Sequence, residues 1–121
     1  MTTMYLANED PSQPERPWNS HIIIDDEGST RALYNKLHLF DVEIPGKFRF
    51  MESEFSKKGV KMVPPVDTPI GRIGLAICND LRFPELSLWY RNKGAEILAY
   101  GAAFTLHTGL AHFEVSTSIQ V

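Results

Sequence analysis

Short apolar blocks separated by polar turns set the secondary structure expected of this chain. Ile22, Ile23 and Ile24 make a β-branched run, Glu27 and Gly28 fall in a turn region, and residues 32–37 supply a second strand, so a hairpin is predicted. Residues 37–59 hold only brief apolar pieces, broken by Pro45-Gly46 and then by charge, and read as a long ordered loop. Residues 66–74 read as a strand, a turn around 69–71 and the entry to the next strand. In that next strand Ile73, Leu75 and Ile77 alternate with the small Gly74 and Ala76, which lets both faces pack closely, as a strand covered on two sides requires. Pro84 suits the first turn of a helix that would hold Leu86, Trp89 and Tyr90 on one face; Gly94 stops it, and 95–100 form another apolar strand. Strand, helix and strand make a βαβ unit. The carboxyl end of its first strand opens on the crevice where such units bind ligands, and Cys78 stands there.

Composition narrows the functional classes. With 121 residues, 43% of them hydrophobic, the chain has material for one core, assigned to 18–121, behind a polar, proline-bearing arm over 1–17. A net charge of −3 with scattered basic residues argues against a nucleic-acid surface. No run approaches the about 18 apolar residues of a membrane span, and the N-terminal stretch has no apolar core of a signal peptide. A single cysteine forbids an internal disulfide and makes a reducing cytoplasm the simplest home. His107 and His112 are five apart, share no helix face and make poor metal-ligand partners.

A lone cysteine closing an apolar strand is either a small buried hydrophobe or a nucleophile. The residues after Cys78, Asn79-Asp80-Leu81-Arg82, are too polar for a core, which favours a thiol exposed in a turn. Lys36, taken alone, reads as a surface lysine at a strand end, and Glu43, Glu52 and Glu54 as loop charges that residue chemistry does not separate.

Three ordered segments then point further. GLAICNDLRFPELS, around Cys78, resembles the nucleophile region of the nitrilase, or carbon-nitrogen hydrolase, superfamily. YNKLHLFDVEIPGK resembles the segment that carries that family's lysine, and AAFTLHTGLAHFE matches a third motif. Together they cover 18–115, and Lys36 lies 42 positions before Cys78, as in the nitrilase half of nitrilase-Fhit fusions and in deaminated glutathione amidases.

The resemblance implies an α/β fold, the central portion of an αββα sandwich, and a hydrolase of carbon-nitrogen bonds other than peptide bonds. Its substrate would be a small ω-amide, and no metal or organic cofactor would be required. Cys78 would be the nucleophile, Lys36 and the backbone N–H of Asn79 would stabilise the oxyanion, and Glu52 would be the supporting glutamate, with Glu43 and Glu54 as alternatives. The family's general-base glutamate lies upstream of the lysine in a stretch with no counterpart among the 35 residues before Lys36; Glu9 and Glu15 lie in no matching motif. The chain is therefore expected to be truncated, inactive by itself, and driven by exposed sheet edges to associate with itself or with a full-length homologue. Two other readings stand beside this one: a non-catalytic binding or interaction fragment, and a cysteine-histidine or redox thiol protein. Asn79 stands where the family has tyrosine, and Gly101-Ala102 where relatives commonly have proline and serine.

Overall fold

The computed structural model describes residues 2–6 and 16–113. The predicted hairpin is formed by β2 (Trp18–Ile24) and β3 (Thr30–Asn35), paired antiparallel with His21 opposite Tyr34. Its turn is held by the Asp25 side chain, which accepts from the backbone N–H groups of Glu27 and Ser29, while Gly28 takes the left-handed φ of +84° that closes it. β3 ends one residue before Lys36, whose backbone N–H still donates to the Asn19 carbonyl at 2.9 Å.

Two expectations are corrected. The arm over 1–17 contains β1 (Thr2–Leu6), which pairs antiparallel with β2. TTMYL is uncharged and rich in β-formers, and that local preference outweighs the acids and prolines behind it. The long loop over 37–59 contains a second hairpin, β4 (Asp41–Ile44) and β5 (Phe48–Met51), followed by a 3₁₀ turn over Glu52–Glu54. Each of its strands is four residues long, too short for alternation to be read with assurance, and Pro45-Gly46 is the hairpin turn rather than a break in order. Glu9, Glu15 and Glu114 lie outside the described residues, and the last described element is a helical turn over Gly109–Phe113.

The βαβ unit is present. β6 (Val66–Thr68) runs antiparallel to β7 (Gly71–Ile77), which is parallel to β8 (Ile97–Gly101) across α1 (Pro84–Asn92). Pro84 opens α1, and Gly94, at φ +79°, follows its end. β7 is covered on both sides, as its small residues require. On one side Leu86 and Tyr90 of α1 are buried, with the Tyr90 hydroxyl donating to the Leu75 carbonyl at 2.7 Å and the ring lying over Gly74. On the other, the β2–β3 hairpin packs Ile23, Ala32 and Tyr34 into the same core as Ile73, Leu75 and Ile77. The layers are sheet, sheet and helix.

His21 crosses between the two sheets. It is buried, and its Nδ1 meets the Ala76 carbonyl at 2.9 Å, so Nδ1 carries the proton. Burial lowers its pKa from 6.5, against the opposing pull of that carbonyl, and the imidazole is neutral in the folded chain. A depressed folded value means that its contribution to stability is complete above pH 6.5 and is lost as the pH falls below it. Denaturant midpoints should therefore fall between pH 7.5 and pH 5.5, and His21→Asn should flatten that part of the slope; an unchanged slope would contradict the assignment. At Gly74 an added methyl would come within 2.6 Å of the Tyr90 ring, which its hydrogen bond holds in place. Gly74→Ala should cost about 1–3 kcal/mol in urea unfolding, as overpacked cores do, and pairing it with Tyr90→Leu should recover part of the loss.

Candidate active site

β7 delivers Cys78 in a conformation that a side chain rarely adopts. Its φ is +43°, the sole positive value at a non-glycine residue among the described residues, and the chain turns there into a 3₁₀ segment, Cys78–Arg82. Such a bend costs on the order of 1–3 kcal/mol and persists only where surrounding bonds over-determine it. Asp80 supplies them. It is fully buried, and its two carboxyl oxygens accept from the Ile77 N–H (2.8 Å), the Tyr34 hydroxyl (2.8 Å), the His38 N–H (3.0 Å) and His38 Nδ1 (2.7 Å). Burial, then the adjacent Asp80, push the Tyr34 phenol far above its ordinary range and keep it protonated as a donor. The His38 ring also stacks on Phe83 at 3.7 Å.

The effect of these bonds is to dock the segment after β3 onto the turn that carries the thiol. Asn79 adds to it: its side-chain amide donates to the carbonyls of His38 (3.3 Å) and Leu39 (3.1 Å). The position where the family has tyrosine is thus a tether between the same two segments.

Lys36, just past β3, is 3% exposed, and its Nζ lies 2.6 Å from Glu52 Oε2. Glu52, at the start of the 3₁₀ turn after β5, accepts from the Phe40 N–H (2.8 Å) on the same oxygen and from Asn19 Nδ2 (3.1 Å) on the other. An ammonium has three donors. With one on Glu52, Lys36 keeps two that have no protein partner among the described residues.

Lys36, Glu52, Cys78 and Asn79 line one cavity of about 650 Å³. Four residues chosen from sequence, drawn from three separate segments, thus share one space. The alternatives diverge from it. Glu54 and Glu43 are exposed and pair with Arg49, Glu54 at 3.1 Å and Glu43 at 3.8 Å, and neither lines the cavity. His107 and His112 are exposed and stand apart from it. Among the described residues no group of histidine, cysteine and carboxyl side chains could hold a metal.

Several lining residues escaped the sequence reading. Phe40, Phe48, Phe50 and Phe104 make most of the wall apolar, and Arg82 enters it with its guanidinium 5.6 Å from the Phe40 ring. Thr105 and Thr108 line the side formed by the segment after β8. Arg82 and Asp80 were visible only as polar turn residues. Nothing marked Asn19, an isolated amide at the start of a strand.

Comparison with known proteins agrees with this geometry. The model of the carbon-nitrogen hydrolase family matches residues 1–120. The nitrilase and fragile histidine triad fusion protein NitFhit of Caenorhabditis elegans is 68% identical over 109 residues, 90% of this chain and 25% of that protein. Deaminated glutathione amidase of Mus musculus is 50% identical over 107 residues, 88% of this chain and 33% of that protein. The crystal structure of the C. elegans NitFhit protein superposes with a TM-score of 0.85 at 62% identity, covering 98% of this chain and 29% of that one. The chain thus spans a quarter to a third of the length of these relatives. By its sequence, and by a sheet-sheet-helix arrangement that ends β7 on Cys78, this chain belongs to the carbon-nitrogen hydrolase family.

Proposed function

We propose that the site is that of an ω-amidase of deaminated glutathione type, which cleaves a small carboxyl-bearing amide through a thioester on Cys78. The observation that carries the reading is the shared cavity, in which a strained cysteine and a buried ammonium with spare donors face the same space. The thiolate attacks the amide carbon and the carbonyl π electrons move to oxygen. Lys36 and the backbone N–H of Asn79 stabilise that oxyanion; as it collapses the C–N bond breaks and the nitrogen, taking the proton that the thiol gave up to a general base, leaves as ammonia or an amine. Water then adds to the thioester carbonyl, breaking the C–S bond to release the carboxylic acid and return a proton to sulfur. Glu52 orients Lys36; with three donors already on its oxygens it is poorly placed to shuttle protons.

The wall supports this substrate class. The phenyl rings suit a short aliphatic stem, and Arg82 is a second cation positioned for a carboxylate at the far end of the molecule. A small ω-amide carries both features. Free thiol chemistry at a half-buried Cys78 fits a cytoplasmic setting, and the exposed Ile44, Leu88 and Ile97 support association with a second copy or a full-length homologue.

One observation favours a second reading for the chain acting alone. Among the described residues Glu52 is the sole carboxyl group lining the cavity, so none of the described carboxylates is free to serve as general base, which supports a chain that binds ω-amides without turning them over. The cysteine-histidine reading has no such support, since none of the four histidines lines the cavity.

Ammonia release from a panel of ω-amides separates the readings. Any turnover should disappear in Cys78→Ala and fall about 10²- to 10³-fold in Lys36→Met, the usual loss when one oxyanion donor is removed; turnover that survives Cys78→Ala would end the nucleophile assignment. Binding can be followed without turnover, through protection of Cys78 from iodoacetamide. Arg82→Gln should raise the protecting concentration of a carboxyl-bearing ω-amide roughly ten- to a hundredfold, the worth of one charged hydrogen bond, and leave that of a neutral amide of the same length unchanged.

A further inference from the structure

Asn19 touches both partners of the buried ion pair. Its backbone carbonyl accepts the Lys36 N–H at 2.9 Å, and its side-chain Nδ2 donates to Glu52 Oε1 at 3.1 Å. The residue is buried, lies near the start of β2 and lines the cavity with Lys36, Glu52 and Cys78. We propose that Asn19 is a positioning residue, which aims the Lys36 ammonium at the reacting carbonyl by fixing the rotation of the Glu52 carboxyl group; this rests on the amidase reading of the site.

The geometry of Glu52 explains why such a residue is needed. Its Oε2 receives two donors, Lys36 Nζ and the Phe40 N–H, and both pull on the same oxygen. A carboxyl group held at one oxygen can still swing about its last torsion, and the ammonium that leans on it would swing too. Asn19 supplies the contact on Oε1, so the plane is held at both ends. The amide orientation is settled by chemistry: only the NH₂ end can face a carboxyl group that accepts at every other contact.

That orientation has a cost that stability alone does not explain. With Nδ2 on Glu52, Asn19 Oδ1 is buried and has no hydrogen-bond partner among the described residues. A core selected for stability alone would replace a half-satisfied amide with an apolar side chain. The amide is retained here beside the two residues whose relative placement the chemistry needs.

Asn19→Ala removes the side-chain contact and keeps the backbone bond to Lys36, so strand pairing is preserved. The readout is the rate of Cys78 alkylation by iodoacetamide at pH 7 on the folded chain, which depends on the Lys36 charge and requires no turnover. Asn19→Ala should slow it about tenfold, Glu52→Gln at least as much, and the double variant no more than Glu52→Gln alone, because one acts through the other. A merely structural asparagine would give independent losses that multiply in the double variant. If Asn19→Ala fails to fold, Asn19→Leu, which has nearly the same shape, no donor and no charge, carries the test and should slow alkylation about tenfold. Multiplying losses, or an unchanged rate in the folded Asn19 variant while Lys36→Met slows it, overturns the positioning role and spares the amidase reading. An unchanged rate in Lys36→Met overturns both.

Discussion

A single buried carboxyl group holds the reactive end of this protein together. Asp80 draws four donors from three places: the end of β7, the β3 tyrosine and the segment after Lys36. Coulombic and hydrogen-bond terms are strongest where water is excluded, and at full burial each of those donors would be costly to leave unpaired. The four bonds therefore act as one constraint. Given that constraint, the left-handed bend at Cys78 is tolerated, and the ammonium and the sulfur, far apart in sequence, open onto the same space.

Charge is organised around the cavity in two different ways. The Lys36–Glu52 pair is buried and saturated on the carboxyl side, so removal of either partner would leave the other buried and uncompensated, a loss of several kcal/mol by the usual behaviour of such pairs. Arg82 is exposed and bears on the aromatic wall, 5.6 Å from the Phe40 ring. One cation is buried and paired, and the other is exposed on the cavity wall.

Much of this was legible in the chain, for reasons that can be named. The βαβ unit announces itself because β7 carries a strong alternation of large and small apolar residues, and because Pro84 and Gly94 mark the helix with unambiguous backbone chemistry. Cys78 and Lys36 were legible through motif order, and Glu52 through its place within a motif. Burial then separated Glu52 from Glu43 and Glu54, which local sequence left equivalent. What stayed hidden was of two kinds. β1, β4 and β5 are short, and their pairing depends on partners that a linear pattern does not display. Asn19 and Asp80 act through contacts with residues distant in sequence, so their types and spacing carry no local signal.

The β4–β5 hairpin ties the character of the cavity to a count of residues. Phe48 and Phe50 lie two apart on β5 and both face the cavity, while Arg49 between them points away toward Glu43 and Glu54. In a strand of alternating faces, slipping the pairing by a single position exchanges the two sets. The apolar lining would then become a guanidinium, and the rings would take the face that Arg49 now holds. The polarity of this wall is thus open to change through turn length alone, with every side chain kept: insertions near Gly46 can invert it where point substitutions would only trim it.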